Sequence, residues 1–298
     1  MKSEIRSIIT DVKAAARIGH AESLEIALEG LVTLPNVAAN QAMNEAFIEQ
    51  AILPLGEILA TARLNGGFLR SLANNQYAAV RAIAAVALVQ RYLKGNDQSA
   101  SELRRLGSDS RADVRAALAT ALRTAPDAER LFSLVRQWLE GKSPRQKQVV
   151  LAAVPNLVTT HPTEIWTLLA GLRAEGDTEV RAALVETLNE LARAGHAEEA
   201  LALLGDWAIH PDAKAWVITR TLSRPWAAEY AAQALAILRQ LTINKGPKRK
   251  VRNTIQALAQ HGADEYVQSQ LEAWAHDPEP NVRVLIRDMR GSDPDTIS

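Results

Sequence analysis

Five positive charges fall within eight residues at Lys245-Gly-Pro-Lys248-Arg249-Lys250-Val-Arg252. Cations at that density act on an anion, either a carboxylate or a phosphate. Lys245, Lys248, Arg249, Lys250 and Arg252 are therefore candidate binding residues. The run opens a predicted helix, where each cation opposes the helix dipole by about 0.3–1 kcal/mol. The like charges also repel one another, and a bound anion relieves both costs. Upstream, Lys214, Trp216, Arg220, Arg224 and Trp226 set further cations beside two indoles around the turn 219–225. An indole adds a flat apolar face to such a site.

Other chemistries lack their residues. Cysteine is absent, which removes disulfides, thiolate metal sites and thiol nucleophiles. Histidines 20, 161, 196, 210, 261 and 276 all fall at predicted helix ends or turns, and none forms the i, i+4 pair of a zinc protease helix. The chain has no Gly-x-Ser-x-Gly elbow and no Ser-x-x-Lys. Gly66-Gly67 lacks the Lys-Ser/Thr of a phosphate loop. No catalytic residue, metal ligand or cofactor is assigned.

Composition names the elements that must position the cations. Apolar residues make up 47% and aromatics only 4%, with Ala and Leu dominant, which favours helix. Residues 1–17 are charged and amphipathic, unlike a secretory leader, and no apolar stretch reaches the ~20 residues that span a bilayer. A cytoplasmic protein without a membrane segment is expected.

A repeat organises the helices. Asp109-Ser-Arg-Ala-Asp-Val-Arg-Ala-Ala-Leu118, Asp177-Thr-Glu-Val-Arg-Ala-Ala-Leu184 and Asp277-Pro-Glu-Pro-Asn-Val-Arg-Val-Leu285 each run from an acidic turn through Val-Arg into an apolar-periodic segment. Val-Arg recurs at 80–81, 114–115, 180–181, 251–252 and 282–283, with a spacing of 34 residues and then 66. Val180, Ala183, Leu184, Thr187, Leu188 and Leu191 mark one helical face, as do Val251, Thr254, Ile255 and Leu258. Equally periodic first helices are predicted at roughly 127–139, 162–174, 196–209, 226–242 and 264–276. They carry Trp138, Trp166, Trp207 and Trp274 where they would pack on a neighbouring repeat. Gly195, Gly246 and Gly262 are expected to supply left-handed helix ends.

Paired helices every 33–38 residues with Asp…Val-Arg turns resemble the HEAT repeat, and 277–283 resembles its short bilin-lyase type. The resemblance implies an all-α, right-handed α-α superhelix of about six helix pairs over 76–290. An atypical N-terminal helical cap (1–75) would precede it, and a disordered tail (291–298) would follow. It also implies that Asp109, Asp177 and Asp277 form an inter-repeat ladder with Arg115, Arg181 and Arg283. Second helices would line the concave groove, placing Arg115, Arg145, Lys147, Arg220 and the 245–252 cluster there.

Charge is segregated although 34 basic and 34 acidic residues cancel. Residues 63–147 and 214–252 are basic, whereas 148–213 and the first 62 residues are acidic. A protein committed to nucleic acid carries a basic surplus. The expectation is a non-catalytic scaffold that binds a protein partner with an acidic surface in a solenoid groove. Nucleic-acid binding is the alternative, with an alkylpurine DNA glycosylase of the HEAT-like class as its enzymatic form. In that family a Trp precedes the catalytic Asp by four residues, and no tryptophan here is so followed. Asp212 and Trp216 stand in reverse order, a spacing that would share one helical face. A bilin-lyase-like accessory role is the third reading.

Overall fold

A computed structural model describes residues 2–64, 66–125 and 129–291, and every regular element among them is helical. The chain divides into two units, Met1–His161 and Pro162–Ser298. The tail expected to be disordered lies, beyond Gly291, outside the described residues.

The first unit contains α1 (Lys2–Ile18), α2 (Ala21–Val32), α3 (Leu53–Thr61), α4 (Gly66–Ala73) and α5 (Ala78–Leu93). It continues with α6 (Ala100–Gly107), α7 (Ala112–Arg123), α8 (Glu129–Leu139) and α9 (Pro144–Leu151). α1 packs on α2 and α3. From there α3, α5, α7 and α9 touch one another in succession, while α4, α6 and α8 each pack on the helix that follows. Small residues permit the closest approaches. From Ala78 to Val89 only Arg81 of α5 escapes full burial. A Cβ on Gly56 of α3 would lie 2.4 Å from the Cβ of Val86, so only glycine lets the two helices lie this close. Arg91 then closes the end of α3, donating to the carbonyls of Leu59, Ala60, Ala62 and Leu64. A helix C-terminus leaves such acceptors unmatched.

The second unit contains α10 (Pro162–Ala170), α11 (Thr178–Leu191), α12 (Ala197–Ile209) and α13 (Ala215–Leu222). After a 3₁₀ turn at Pro225–Tyr230 come α14 (Ala231–Ile243), α15 (Lys248–Leu258), α16 (Asp264–Trp274) and α17 (Pro280–Arg290). Helices α10, α12, α14 and α16 touch in succession, and so do α11, α13, α15 and α17. The apolar stripes explain this order. Val180, Leu184, Leu188 and Leu191 are buried on α11, and Val251, Thr254, Ile255 and Leu258 are buried on α15. Asn244 donates to Ala208 O and Asn281 to Ile243 O, so a side chain from the next pair closes the ends of α12 and α14. No described helix is long and apolar enough to cross a membrane.

Two sequence expectations are corrected here. Gly195 and Gly262 take positive φ (103° and 109°), but at the end of α14 the left-handed residue is Lys245 (φ 60°), not Gly246. Gly246 is needed for a different reason: a Cβ there would sit 2.6 Å from Leu241 O. The Asp–Arg pairing also differs. The three arginines expected in the ladder turn back on their own turns, with Arg115 donating to Asp109 O, Arg181 to Asp177 O and Arg283 to Asp277 O. The carboxylates go elsewhere. Asp109 is gripped by Arg81 and Asp277 by Arg239, in each case through two guanidinium nitrogens at 2.7–3.1 Å. Asp177 instead caps α11, accepting from the N–H groups of Glu179 and Val180.

Candidate binding site

Helices α13 and α15 are joined through their buried threonines, where Thr254 Oγ1 donates to Thr219 O at 3.1 Å. Above that joint lies an open cleft of about 400 Å³. Trp216, Thr219, Arg220 and Ser223 line it from α13, and Lys250, Asn253, Thr254 and Ala257 from α15. Spacings of three and four residues bring each set onto one helical face. The half-buried Trp216 is steadied from α11, whose Arg181 guanidinium stands over the indole 5.8 Å from the ring centre. A cation over an indole face is attracted by the ring quadrupole.

The cleft is electropositive and exposed. Arg220, Lys245, Arg249 and Lys250 are exposed, and none makes an ion pair among the described residues. Lys248 differs, because its Nζ reaches Asp288 at 3.7 Å. The N-cap of α15 is Pro247, and no side chain caps the first turn. Peptide N–H groups therefore add to the positive potential at that helix start. The hydroxyls of Thr219, Ser223 and Thr254 all donate to backbone carbonyls, and the lining holds no carboxylate or imidazole. Attraction of an anion is the chemistry this lining supports.

Among the sequence candidates, Trp216, Arg220 and Lys250 meet in the cleft, and Lys245 and Arg249 flank the N-terminus of α15. The others are placed differently. Trp226 is only 7% exposed and packs edge-on to Tyr230, so it belongs to the core beneath the 3₁₀ turn. Arg224 forms an ion pair with Glu186 of α11. Lys214 is half-buried ahead of α13, with its backbone N–H on Arg173 O, and Arg252 is half-buried on α15. Arg115, in the first unit, is 5% exposed and occupied by its own turn. Arg145 is exposed and donates to Ser108 O at 3.1 Å, and Lys147 is half-buried. Neither lines the cleft.

Asp212 does not share a helical face with Trp216. It lies in the turn before α13, engaged by Arg173 at 3.0 Å. Charge and aromaticity do not single out Asn253 or Ser223, and Arg181, expected in the inter-repeat ladder, stands instead over Trp216. Helical spacing was the available signal, since Asn253 stands three residues after Lys250 and on the same face. No protein-family model and no curated protein matches the chain.

Proposed function

We propose that the chain is a HEAT-like solenoid acting as a non-catalytic scaffold, which binds a protein partner through that partner's acidic surface. One observation carries the reading: Arg220 and Lys250 line an open cleft, and they and the exposed Lys245 and Arg249, at or just before the start of α15, make no ion pair among the described residues. The arginines of the acidic turns, by contrast, are engaged within the fold. Helix pairs in successive contact, with Val-Arg turns at near-regular spacing, support the repeat assignment. Protein is favoured over nucleic acid because the 34 basic and 34 acidic residues of the chain cancel, whereas a protein committed to nucleic acid carries a basic surplus. Charges on such a rim chiefly set association rate and specificity.

The test pairs two measurements on the full chain. Affinity purification from the native host should recover a protein that rebinds the purified chain in defined stoichiometry. Mobility-shift assays with duplex and single-stranded nucleic acid should show no submicromolar complex. Tight nucleic-acid binding that collapses between low and moderate salt would overturn the reading. Release of alkylated bases from damaged DNA would replace it with the glycosylase alternative.

A further inference from the structure

The cleft between α13 and α15 also constrains which part of a partner can enter. We infer that it holds an extended acidic peptide segment, with side-chain carboxylates on Arg220 and Lys250, main chain on Asn253 and an apolar side chain against Trp216. The inference rests on the scaffold reading and narrows it to one site and one ligand class.

Three observations lead there. First, the cleft is small. About 400 Å³ suits a few side chains and not a folded surface. Packed helices stand only ~8–10 Å apart, so the trough between their side chains admits one strand of chain. Second, the exposed side chain of Asn253 has no hydrogen bond among the described residues. Its amide offers both a donor and an acceptor, which match the C=O and N–H of a peptide unit. A phosphodiester has no N–H to return. Third, the positive field is short. Arg220 and Lys250 are the cations of the cleft lining, and Lys245 and Arg249 stand at or just before the start of α15. A brief acidic stretch fits inside that field, whereas a long polyanion would overrun it. Trp216 completes the site, because Arg181 fixes its ring beside the cations. Its indole can then cover an apolar side chain next to the acidic ones.

The experiment is fluorescence anisotropy on the full chain with three labelled probes. These are a dodecapeptide that repeats glutamate, glycine and leucine, the same peptide with glutamine for glutamate, and a twelve-nucleotide thymidine strand. The glutamate peptide should bind most tightly. The Arg220→Glu/Lys250→Glu double variant should weaken it by about tenfold or more, which corresponds to losing two charge-assisted contacts. Asn253→Ala should weaken the glutamate peptide several-fold, and Lys142→Glu, exposed in the first unit, should leave it unchanged. Each variant is checked by its thermal melt. Should the double variant misfold, Lys250→Gln alone, at an exposed position without an ion pair, carries the test.

Equal binding of the glutamate and glutamine peptides would overturn the inference. Wild-type affinity in a folded double variant would do so too, as would a thymidine strand that binds more tightly than the glutamate peptide and loses that affinity in the double variant. If a partner protein binds wild type and double variant alike, the scaffold reading stands and the cleft assignment falls. If the glutamate peptide needs Arg220 and Lys250 while nucleic acid proves the tight ligand elsewhere on the chain, the cleft assignment stands and the scaffold reading falls.

Discussion

The turn that opens α7 and the turn that opens α15 both lead into a Val-Arg step, yet they treat charge in opposite ways. Before α7, Asp109 accepts from Arg81 and from the N–H of Arg111, and its carbonyl receives Arg115. Asp113, one residue before Val114, takes Arg111 and the distant N–H of Met43. Both carboxylates of that turn meet an arginine. Before α15, the place held by Asp109, five residues ahead of the valine, is taken by Gly246, and the nearby side chains are Lys245, Lys248, Arg249 and Lys250. The carboxylate is what makes a turn arginine structural. Where the sequence omits it, Lys245, Arg249 and Lys250 make no ion pair among the described residues, and only Lys248 finds a carboxylate, that of Asp288.

Removing the carboxylate from the first turn is the strongest way to probe this contrast. Asp109 is only 8% exposed, so Asp109→Ala removes the acceptor of Arg81 Nε and Nη2 and of the Arg111 N–H, while Arg81 Nη1 keeps the carbonyls of Asn75 and Gln76. Deleting one partner of such a buried pair costs about 3–5 kcal/mol. Alanine at Lys245, Arg249 or Lys250 should change stability by less than about 0.5 kcal/mol, as exposed positions commonly do. Urea unfolding of the four variants measures both. A cost below about 1 kcal/mol for Asp109→Ala would erase the distinction between the two turns.

Much of this architecture can be read from the chain. The i, i+3, i+4 stripes of α11 and α15 name their buried faces, and the Val-Arg steps locate the starts of α5, α7, α11, α15 and α17. What cannot be read is which neighbour answers each charged residue. The HEAT resemblance implies an inter-repeat ladder of Asp109 and Asp277 with Arg115, Arg181 and Arg283, but the carboxylates meet Arg81 and Arg239 from preceding helices. A turn motif fixes the backbone of one loop and says nothing about the side chains packed over it. The site divides in the same way. Trp216, Arg220 and Lys250 stand out by residue type, whereas Asn253 enters only through its place on the α15 face. Arg115 and Trp226 look like candidates until their burial is known.

The acidic turns predict a pH response that the cationic turn lacks. The two-pronged bond from Arg239 holds the Asp277 carboxyl below its ordinary value, against the opposing effect of burial. Burial alone would raise Asp109, but the Arg81 contacts and the Arg111 N–H outweigh it and the net shift is downward. A carboxyl depressed in the folded state contributes its full stability above the unfolded value of about 3.9, and loses it as pH falls through the lower folded value. The stability gap between wild type and Asp277→Asn should therefore stay constant from about pH 7 to 5 and close below about pH 4. Denaturant unfolding at stepped pH reads the gap. If it closes already near neutrality, some other group governs it.

The smallest effect makes the sharpest comparison, because it introduces an acid into the turn that lacks one. Arg249 lies in the uncapped first turn of α15, exposed and without an ion pair, where its charge opposes the helix dipole. Replacing it with aspartate reverses the sign of that interaction and supplies an acceptor for the open N–H groups. Arg249→Asp should then stabilise the second unit by about 0.5–1 kcal/mol in low salt, and by less as salt rises. The same change should weaken the glutamate peptide at the neighbouring cleft. A gain in stability with a loss of binding would mean that the cationic turn exists for its ligand at the expense of the helix it starts. Stabilisation with unaltered peptide affinity would confine the binding field to Arg220 and Lys250. Destabilisation would mean that Arg249 is held by contacts within the fold, and the two turns would then be alike.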